Sequence, residues 1–529
     1  VGMHHPRSAA APWLGSVAIL FLAAFLLYPL AVILDRGGWG VGIAAVVSDP
    51  FLRGRALFST GQALLSTLIT VALSLPAALL FARFDFPGKR LWRSAFTVPF
   101  VLPTIVAGSG FLALVGPRGL FGLDLRDTLL VILLAHLFYN FALVVRILGS
   151  HLEAVAPRLS EAAALLGAEP RRILLRVTLP LAAPALLAAA ALVFILTFTS
   201  FGVILILAPA PHLATLEVEI YRQTAQLLNL DSAAALALFQ LAVVGLVGWL
   251  YTVVQARLAV PLTARPARLP RPSGGAGWWL AAALAVALVL VLSPLLALTV
   301  QAFRPPGTGG PSLVGFRALF EGQRTIGFAG PWLGLINSLR FATLSAGLAL
   351  FVGFAFAYAV VRARWRWLDS LSLLPLGTSA VTLGFGYLLA FPALATSFWG
   401  IPVAHALIGF PFVARSVLPA LRALPPNLIH AARTLGSNPI ALLRRVELPL
   451  LTPSLVTAAS FAFAVSLGEF GASLVLTRPE FATLPVAIFD RLSRPGATSY
   501  AAGLTLALVL MVLTGIVLMM LERFGRSEI

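Results

Sequence analysis

Glu161-Ala-Ala-Ala-Leu-Leu-Gly167, followed by Val177-Thr-Leu-Pro180, returns later in the chain as His430-Ala-Ala-Arg-Thr-Leu-Gly436, followed by Val446-Glu-Leu-Pro449. One constant offset carries position 161 to 430, 167 to 436 and 180 to 449, so no gap intervenes between the glycine and the Leu-Pro pair. The match runs on in both directions. Ser200-Phe201-Gly202 pairs with Glu469-Phe470-Gly471 at the same offset, Ala214-Thr215-Leu216 pairs with Ala482-Thr483-Leu484, and upstream Pro99 pairs with Pro375. The chain is therefore two copies of one unit. In each copy a short helix stops at a glycine, which tolerates the positive φ of a sharp turn. Basic residues follow (Arg171 and Arg172; Arg444 and Arg445), and the Leu-Pro pair opens the next helix, where proline is at home.

Around these loops the chain is apolar. It is 60% hydrophobic and 11% charged, with a mean hydropathy of +0.97. A soluble globular chain is about 45–50% apolar and about 25% charged, so this one belongs among integral membrane proteins. About twenty apolar residues cross a bilayer as a helix, because lipid leaves backbone groups no partner outside the segment. Twelve such runs are expected. They lie near 11–34, 56–81, 94–115, 128–149, 183–207 and 232–256, then near 277–300, 335–361, 370–391, 399–419, 452–477 and 498–521. The expected fold is all-α, with two six-helix halves. Residues 1–258 form the first, with its loop at about 158–180, and residues 277–529 the second, with its loop at about 427–449. Between them, residues 259–276 are rich in Pro, Arg and Gly and read as an extended linker.

With the N-terminus inside, about 24 of the 37 positive charges fall on the cytoplasmic side, among them Lys89, the single lysine, and Arg158, Arg265, Arg362 and Arg422. An even number of spans then returns both termini to the cytoplasm. Both repeated loops fall on that side, so the halves are parallel repeats about an axis along the membrane normal, an arrangement that suits a pathway between them. The net charge of +18 follows from basic loops beside apolar spans rather than from one basic surface, so no nucleic-acid partner is expected. Membrane lipid is the expected surround. The run from Ala11 to Leu34 is long enough to span, which favours an uncleaved first helix over a signal peptide.

With no cysteine in the chain, disulfides, thiolate catalysis and cysteine metal sites are excluded. His4 and His5 sit in the N-terminal tail, and His136, His151, His212, His405 and His430 are scattered, so neither a metal site nor a catalytic set is expected. His136, with Tyr139 and Asn140, makes a polar group in the fourth run, suited to an interhelical hydrogen bond or to a pathway. Glu469 lies near the outer end of the eleventh run beside Phe470 and Gly471. It is a pathway or gate candidate together with Ser200, Phe201 and Gly202, or else a helix-end carboxylate in the interface. Glu217 and Glu219 are expected in the outer loop after the fifth run, on a solvated face or as a docking point for a binding protein. No phosphate-binding loop is present, because Gly88-Lys89 is followed by Arg90 and no glycine stands five residues before Gly88.

The pattern Glu-Ala-Ala, three residues, Gly, nine residues, an aliphatic, one residue, Leu-Pro resembles the cytoplasmic signature of ABC-importer permeases. Glu161, Ala162, Ala163, Gly167, Val177, Leu179 and Pro180 fit it throughout. The second copy keeps Ala431, Ala432, Gly436, Val446, Leu448 and Pro449 but has His430 where Glu is expected, which bears on any charge-specific contact there. The tandem organisation is similar to permeases for iron(III) and for thiamine. Ala214-Thr-Leu-Glu-Val-Glu-Ile-Tyr221, with Asp231-Ser-Ala-Ala-Ala, resembles the thiamine permeases in particular, as does Ser466-Leu-Gly-Glu-Phe-Gly471 with Phe481-Ala-Thr-Leu-Pro485; the iron(III) permeases share much of this, including the Gly-Glu-Phe-Gly type of segment, so the resemblance implies thiamine or iron(III) as the solute.

The resemblance implies a type I importer permease in the bacterial cytoplasmic membrane. It implies two copies of a cytoplasmic ATPase docked on the two loops, with ATP and magnesium on that partner and no cofactor on this chain. It implies a periplasmic or lipid-anchored binding protein that delivers the solute. A secondary transporter of twelve spans is the main rival; it would place coupling acids or bases at mid-membrane. A membrane-embedded enzyme would need polar residues clustered at one depth, and none is evident.

Overall fold

The computed structural model describes residues 10–89, 92, 99, 102–258, 271–272, 274–307, 309–320 and 330–525. The N-terminal histidines, Arg90, Arg93 and most of the expected linker lie outside the described residues. Among those described, ten helices are long and apolar enough to span. Five belong to the first half: Ala11–Gly37, Pro50–Arg83, Leu129–Glu153, Arg171–Phe198 and Leu230–Val254. Five belong to the second: Gly277–Phe303, Pro331–Ala363, Gly400–Ala423, Pro439–Gly468 and Ala497–Val517.

The remaining two of the twelve expected runs are shorter. In place of 94–115 and 370–391 stand the helices Thr104–Val115 and Ala380–Ala390. The second is preceded by a 3-10 stretch, Arg366–Gly377, that contains Pro375. Proline removes an amide donor and its ring crowds the carbonyl four residues back, so an α-helix does not run through it undisturbed. Ser379 then starts the short helix afresh, its hydroxyl oxygen accepting from the amides of Val381 at 3.1 Å and Thr382 at 3.4 Å.

The fifth and eleventh runs are also corrected. The helices stop at Phe198 and Gly468, turn through 199–201 and 469–470, and resume as the short helices Gly202–Leu207 and Gly471–Leu476. The breaks carry Thr199-Ser200 and Gly468-Glu469, but the apolar residues on either side let one continuous run be drawn across each. Each chain segment then folds back through a further short helix, Leu216–Tyr221 and Leu484–Ser493. A serine on the second long helix of each half receives it, Ser59 accepting from Leu216 N and Ser338 from Leu484 N, both at 2.7 Å.

The halves exchange their first helices. Ala10–Leu22 packs on Pro331–Tyr358 of the second half, with Gly15 against Trp365 and Ala359, and Phe25 beside Tyr387 and Phe391. In return Gly275–Phe303 packs on Thr104–Val115 of the first half. There Gly110 lies so close to the Pro294 carbonyl that a Cβ would sit 2.7 Å from its oxygen. The two halves are thus interlocked rather than merely side by side.

Candidate functional site

The matched loops have one geometry. Leu129–Leu165 ends in a turn where Gly167 N donates to Ala164 O at 2.9 Å and Ala168 N donates to Ala163 O at 3.0 Å. Pro426–Thr434 ends in the same turn, with Gly436 N to Arg433 O at 2.9 Å and Ser437 N to Ala432 O at 3.0 Å. Both glycines have φ +80°, so both turns are the paired 6→1 and 5→2 motif that closes a helix through a left-handed residue. The Leu-Pro pairs, Leu179-Pro180 and Leu448-Pro449, open the next helices after π-turns at Leu174–Thr178 and Leu443–Glu447, which the offset of the repeat also superposes.

These tips are apolar and bare. Leu165, Leu166 and Leu435 are 89%, 88% and 86% exposed, and His430 is exposed beside them; the side chain of Glu161 lies outside the described residues. Arg171, Arg172, Arg444 and Arg445 stand exposed just beyond. Large apolar side chains left bare at the end of a glycine turn are unusual on a protein surface.

One link in the second half has no counterpart in the first among the described residues. Arg362 Nη2 lies 2.7 Å from Glu447 Oε1, and both side chains are 1% exposed. The pair ties the C-terminal end of Pro331–Ala363 to the π-turn of the second loop. In the first loop the position of Glu447 is taken by Thr178, also buried. Nothing in the sequence reading pointed to this pair.

The helices that leave the two loops, Leu179–Phe198 and Leu448–Gly468, are 20 and 21 residues long, about 30 Å each. Their far ends converge. Phe201 stacks on Phe470 with ring centres 5.6 Å apart and planes 26° apart. Tyr221 packs on Phe201 at 5.6 Å, and Phe489 on Phe470 at 5.5 Å. Tyr221 and Phe489 are matched by the repeat, so the aromatic cluster is a pseudo-symmetric plug where the halves meet. Because both helices run from a loop to this plug, both loops lie at the opposite end of the molecule. Gly202 permits the contact, since a Cβ there would lie 2.9 Å from Phe470 Cδ1 and 2.6 Å from Thr104 Oγ1; Gly471 likewise faces Ala380 and Val381.

Glu469 is held beside the plug. Its Oε1 accepts from Ala472 N at 3.1 Å and its Oε2 from Ser473 N at 3.0 Å, and His405 Nε2 lies 3.1 Å from Oε2. His405 also meets Ser466 at 2.8 Å and Ser473 at 2.9 Å. Ser200, which takes the place of Glu469 in the first half, leaves His136 with less company. His136 Nδ1 meets Ser66 at 2.8 Å, while its buried Nε2 has no hydrogen-bond partner among the described residues. The offset of the repeat carries position 136 to 405, so His405 is the counterpart of His136 and not one of a scattered set. The shared offset was there to be found. The polar group around His136 divides: Tyr139 donates to Pro103 O at 3.2 Å and Asn140 to the His136 carbonyl at 2.9 Å.

Glu217 and Glu219 are not on a solvated loop. Both are 0% exposed, because Leu216–Tyr221 folds back into the bundle as a helix instead of leaving it. Glu219 has basic neighbours in Arg55 at 3.6 Å and Arg222 at 3.4 Å, and it accepts from Gln223 at 2.8 Å. Glu217 accepts from Gln240 Nε2 at 2.6 Å and, across to the second half, from the Ser379 hydroxyl at 2.5 Å.

The model of the family described as binding-protein-dependent transport system inner membrane component matches residues 74–260 and again 349–524. The thiamine transport system permease protein of Brucella abortus (strain 2308) is 28% identical over 543 residues, covering 98% of this chain and 96% of its own length. That of Escherichia coli (strain K12) is 28% identical over 510 residues, covering 91% of each. A putative 2-aminoethylphosphonate transport system permease protein of Salmonella paratyphi A is 32% identical over 203 residues, or 37% of this chain and 75% of its own.

Proposed function

The chain belongs to the family of binding-protein-dependent transport inner membrane components, and from that premise we propose that it is the membrane-spanning permease of an ATP-driven thiamine importer. The single observation that carries the substrate is the likeness to thiamine permeases, which covers 98% and 91% of this chain and so takes in both halves. The 2-aminoethylphosphonate relative is similar over 203 residues alone.

In this reading the bare leucine tips at Gly167 and Gly436 seat two copies of a cytoplasmic ATPase, which holds ATP and magnesium. Glu161, Ala162 and Ala163, with His430, Ala431 and Ala432, form the helices that carry the tips. The loop end is cytoplasmic, and the plug of Phe201 and Phe470 is a closed gate on the outer face. There a periplasmic or lipid-anchored binding protein unloads. Closure of the ATPases draws the loops together. Leu179–Phe198 and Leu448–Gly468 carry that movement to the plug, because each runs from one site to the other. The glycines at 202 and 471 let the rings part without a side chain in the way.

The test is ATP hydrolysis by the chain reconstituted with the ATPase and binding protein of its own genome. Thiamine-loaded binding protein raises hydrolysis if the reading is right. Stimulation by iron(III)-loaded binding protein instead would keep the importer and replace the substrate.

A further inference from the structure

Four acids are buried in the described bundle beside the loops or the plug, and three of them have basic neighbours: Glu219 with Arg55 and Arg222, Glu447 with Arg362, and Glu469 with His405. Glu217 differs. Its partners, Gln240 and Ser379, are both neutral donors. A carboxylate inside a membrane bundle is costly to hold there, and one without a counter-charge calls for a reason beyond packing.

Two polar groups near it are buried without a hydrogen-bond partner among the described residues. The Gln240 side chain spends its N–H on Glu217, and its Oε1 is buried with no hydrogen-bond partner among the described residues. Thr382, three residues beyond Ser379 on the same short helix, also keeps a buried hydroxyl without a partner there. A spare carbonyl oxygen beside a carboxylate is a receptor for a donor or a positive charge. With Glu217 ionised, reversing the amide would set oxygen against oxygen at 2.6 Å.

The position of Glu217 adds the aromatic component. It lies one helical turn before Tyr221, whose ring packs on Phe201. Its partner Ser379 starts the helix whose Ala380 and Val381 lie against Gly471, next to Phe470. The Glu217–Ser379 bond joins the halves, and so does the Phe201–Phe470 stack. Any parting of the halves at this end breaks both. It frees a carboxylate oxygen, bares ring faces, and leaves the Gln240 oxygen beside them. Aromatic faces attract cations, and a nearby carboxylate adds to the attraction.

We propose that Glu217 is the specificity-determining residue of the opened gate, where it receives the positive charge of a planar organic cation while the parted rings receive its flat surface. The proposal rests on the importer reading and supplies that reading with a recognition group in the permease itself.

The experiment uses the chain assembled with its ATPase in nanodiscs and trapped with ATP and vanadate. Binding of thiamine is compared with binding of its uncharged deaza analogue. Wild type is expected to prefer the cation by about tenfold. Glu217→Gln keeps an oxygen to accept from Ser379 and removes the charge, so it should reduce the preference to about twofold or less. Ser379→Ala removes the bond between the halves but not the charge, and should keep the preference. A wild type without preference, or a glutamine variant with the full preference, overturns the proposal. Should the glutamine variant not assemble, Glu217→Asp carries the test: its set-back charge lowers the preference, and an unchanged value overturns the proposal. Uptake from loaded binding protein by wild type is read separately, and failure there counts against thiamine as the imported solute rather than against the cation site.

Discussion

Replacing Glu447 by leucine is the sharpest perturbation of the second loop. The carboxylate is 1% exposed and its partner Arg362 is equally buried, so the change leaves a guanidinium in the bundle with no counter-charge. Removing one member of such a pair costs about 3–5 kcal/mol, most of it the uncompensated charge left behind. Replacing both members with apolar residues of similar volume is about neutral, because the desolvation of two ions disappears along with their attraction. Here that comparison is favourable, since Arg362 Nε and Nη1 find no hydrogen-bond partner among the described residues. The double variant Arg362→Met with Glu447→Leu should therefore be within about 1 kcal/mol of wild type, which makes the coupling in the cycle about 3 kcal/mol or more. The assay is reversible unfolding of the four purified proteins in mixed micelles, with solute uptake measured alongside. Stability should return in the double variant while uptake does not, because the tie between the loop and Pro331–Ala363 stays cut. Two additive losses of stability would refute the pair, and restored uptake would refute its part in coupling.

Other consequences are simpler to state. Gly436→Val puts a branched residue at φ +80°, with a strain of about 1–2 kcal/mol; hydrolysis stimulated by the binding protein should fall while membrane insertion persists, and Gly167→Val should do the same. Gly202→Leu drives a side chain into Thr104 and Phe470, so it should hold the plug apart and raise hydrolysis without loaded binding protein. Phe201→Ala with Phe470→Ala removes the stack, worth about 0.5–1.5 kcal/mol beyond buried area, and should leave proteoliposomes permeable to small solutes in the absence of ATP.

Much of the architecture is legible in the sequence because the repeat is. A single offset ties the loop glycines, the Leu-Pro pairs and the Phe-Gly breaks together, and the members of each pair share their local geometry. What the sequence hides follows from physics that hydropathy does not register. The breaks at 199–201 and 469–470 are only two or three residues long between apolar segments, so a window of about twenty residues averages over their Thr, Ser and Glu. Exchange of the first helices is equally silent, because an apolar helix has the same composition whichever half it packs on. Glu217 and Glu219 look solvated from their charge alone, and their burial depends on donors from Gln240, Ser379 and Gln223, two of them distant in the chain. Arg362 and Glu447 meet from different helices and without a counterpart in the first half, so no repeat could reveal them.

The chain has no cysteine, so single cysteines can be read without background. Cysteine placed at Leu166 and, in a second protein, at Leu435 should cross-link to the ATPase in the assembled complex, each with one copy. Cross-linking at both positions, weakened together when ATP is trapped and the loops shift, is the result expected of two matched loops that drive one gate. Cross-linking at neither would contradict the account at its centre, and at one alone would reduce the second loop to a relic of duplication.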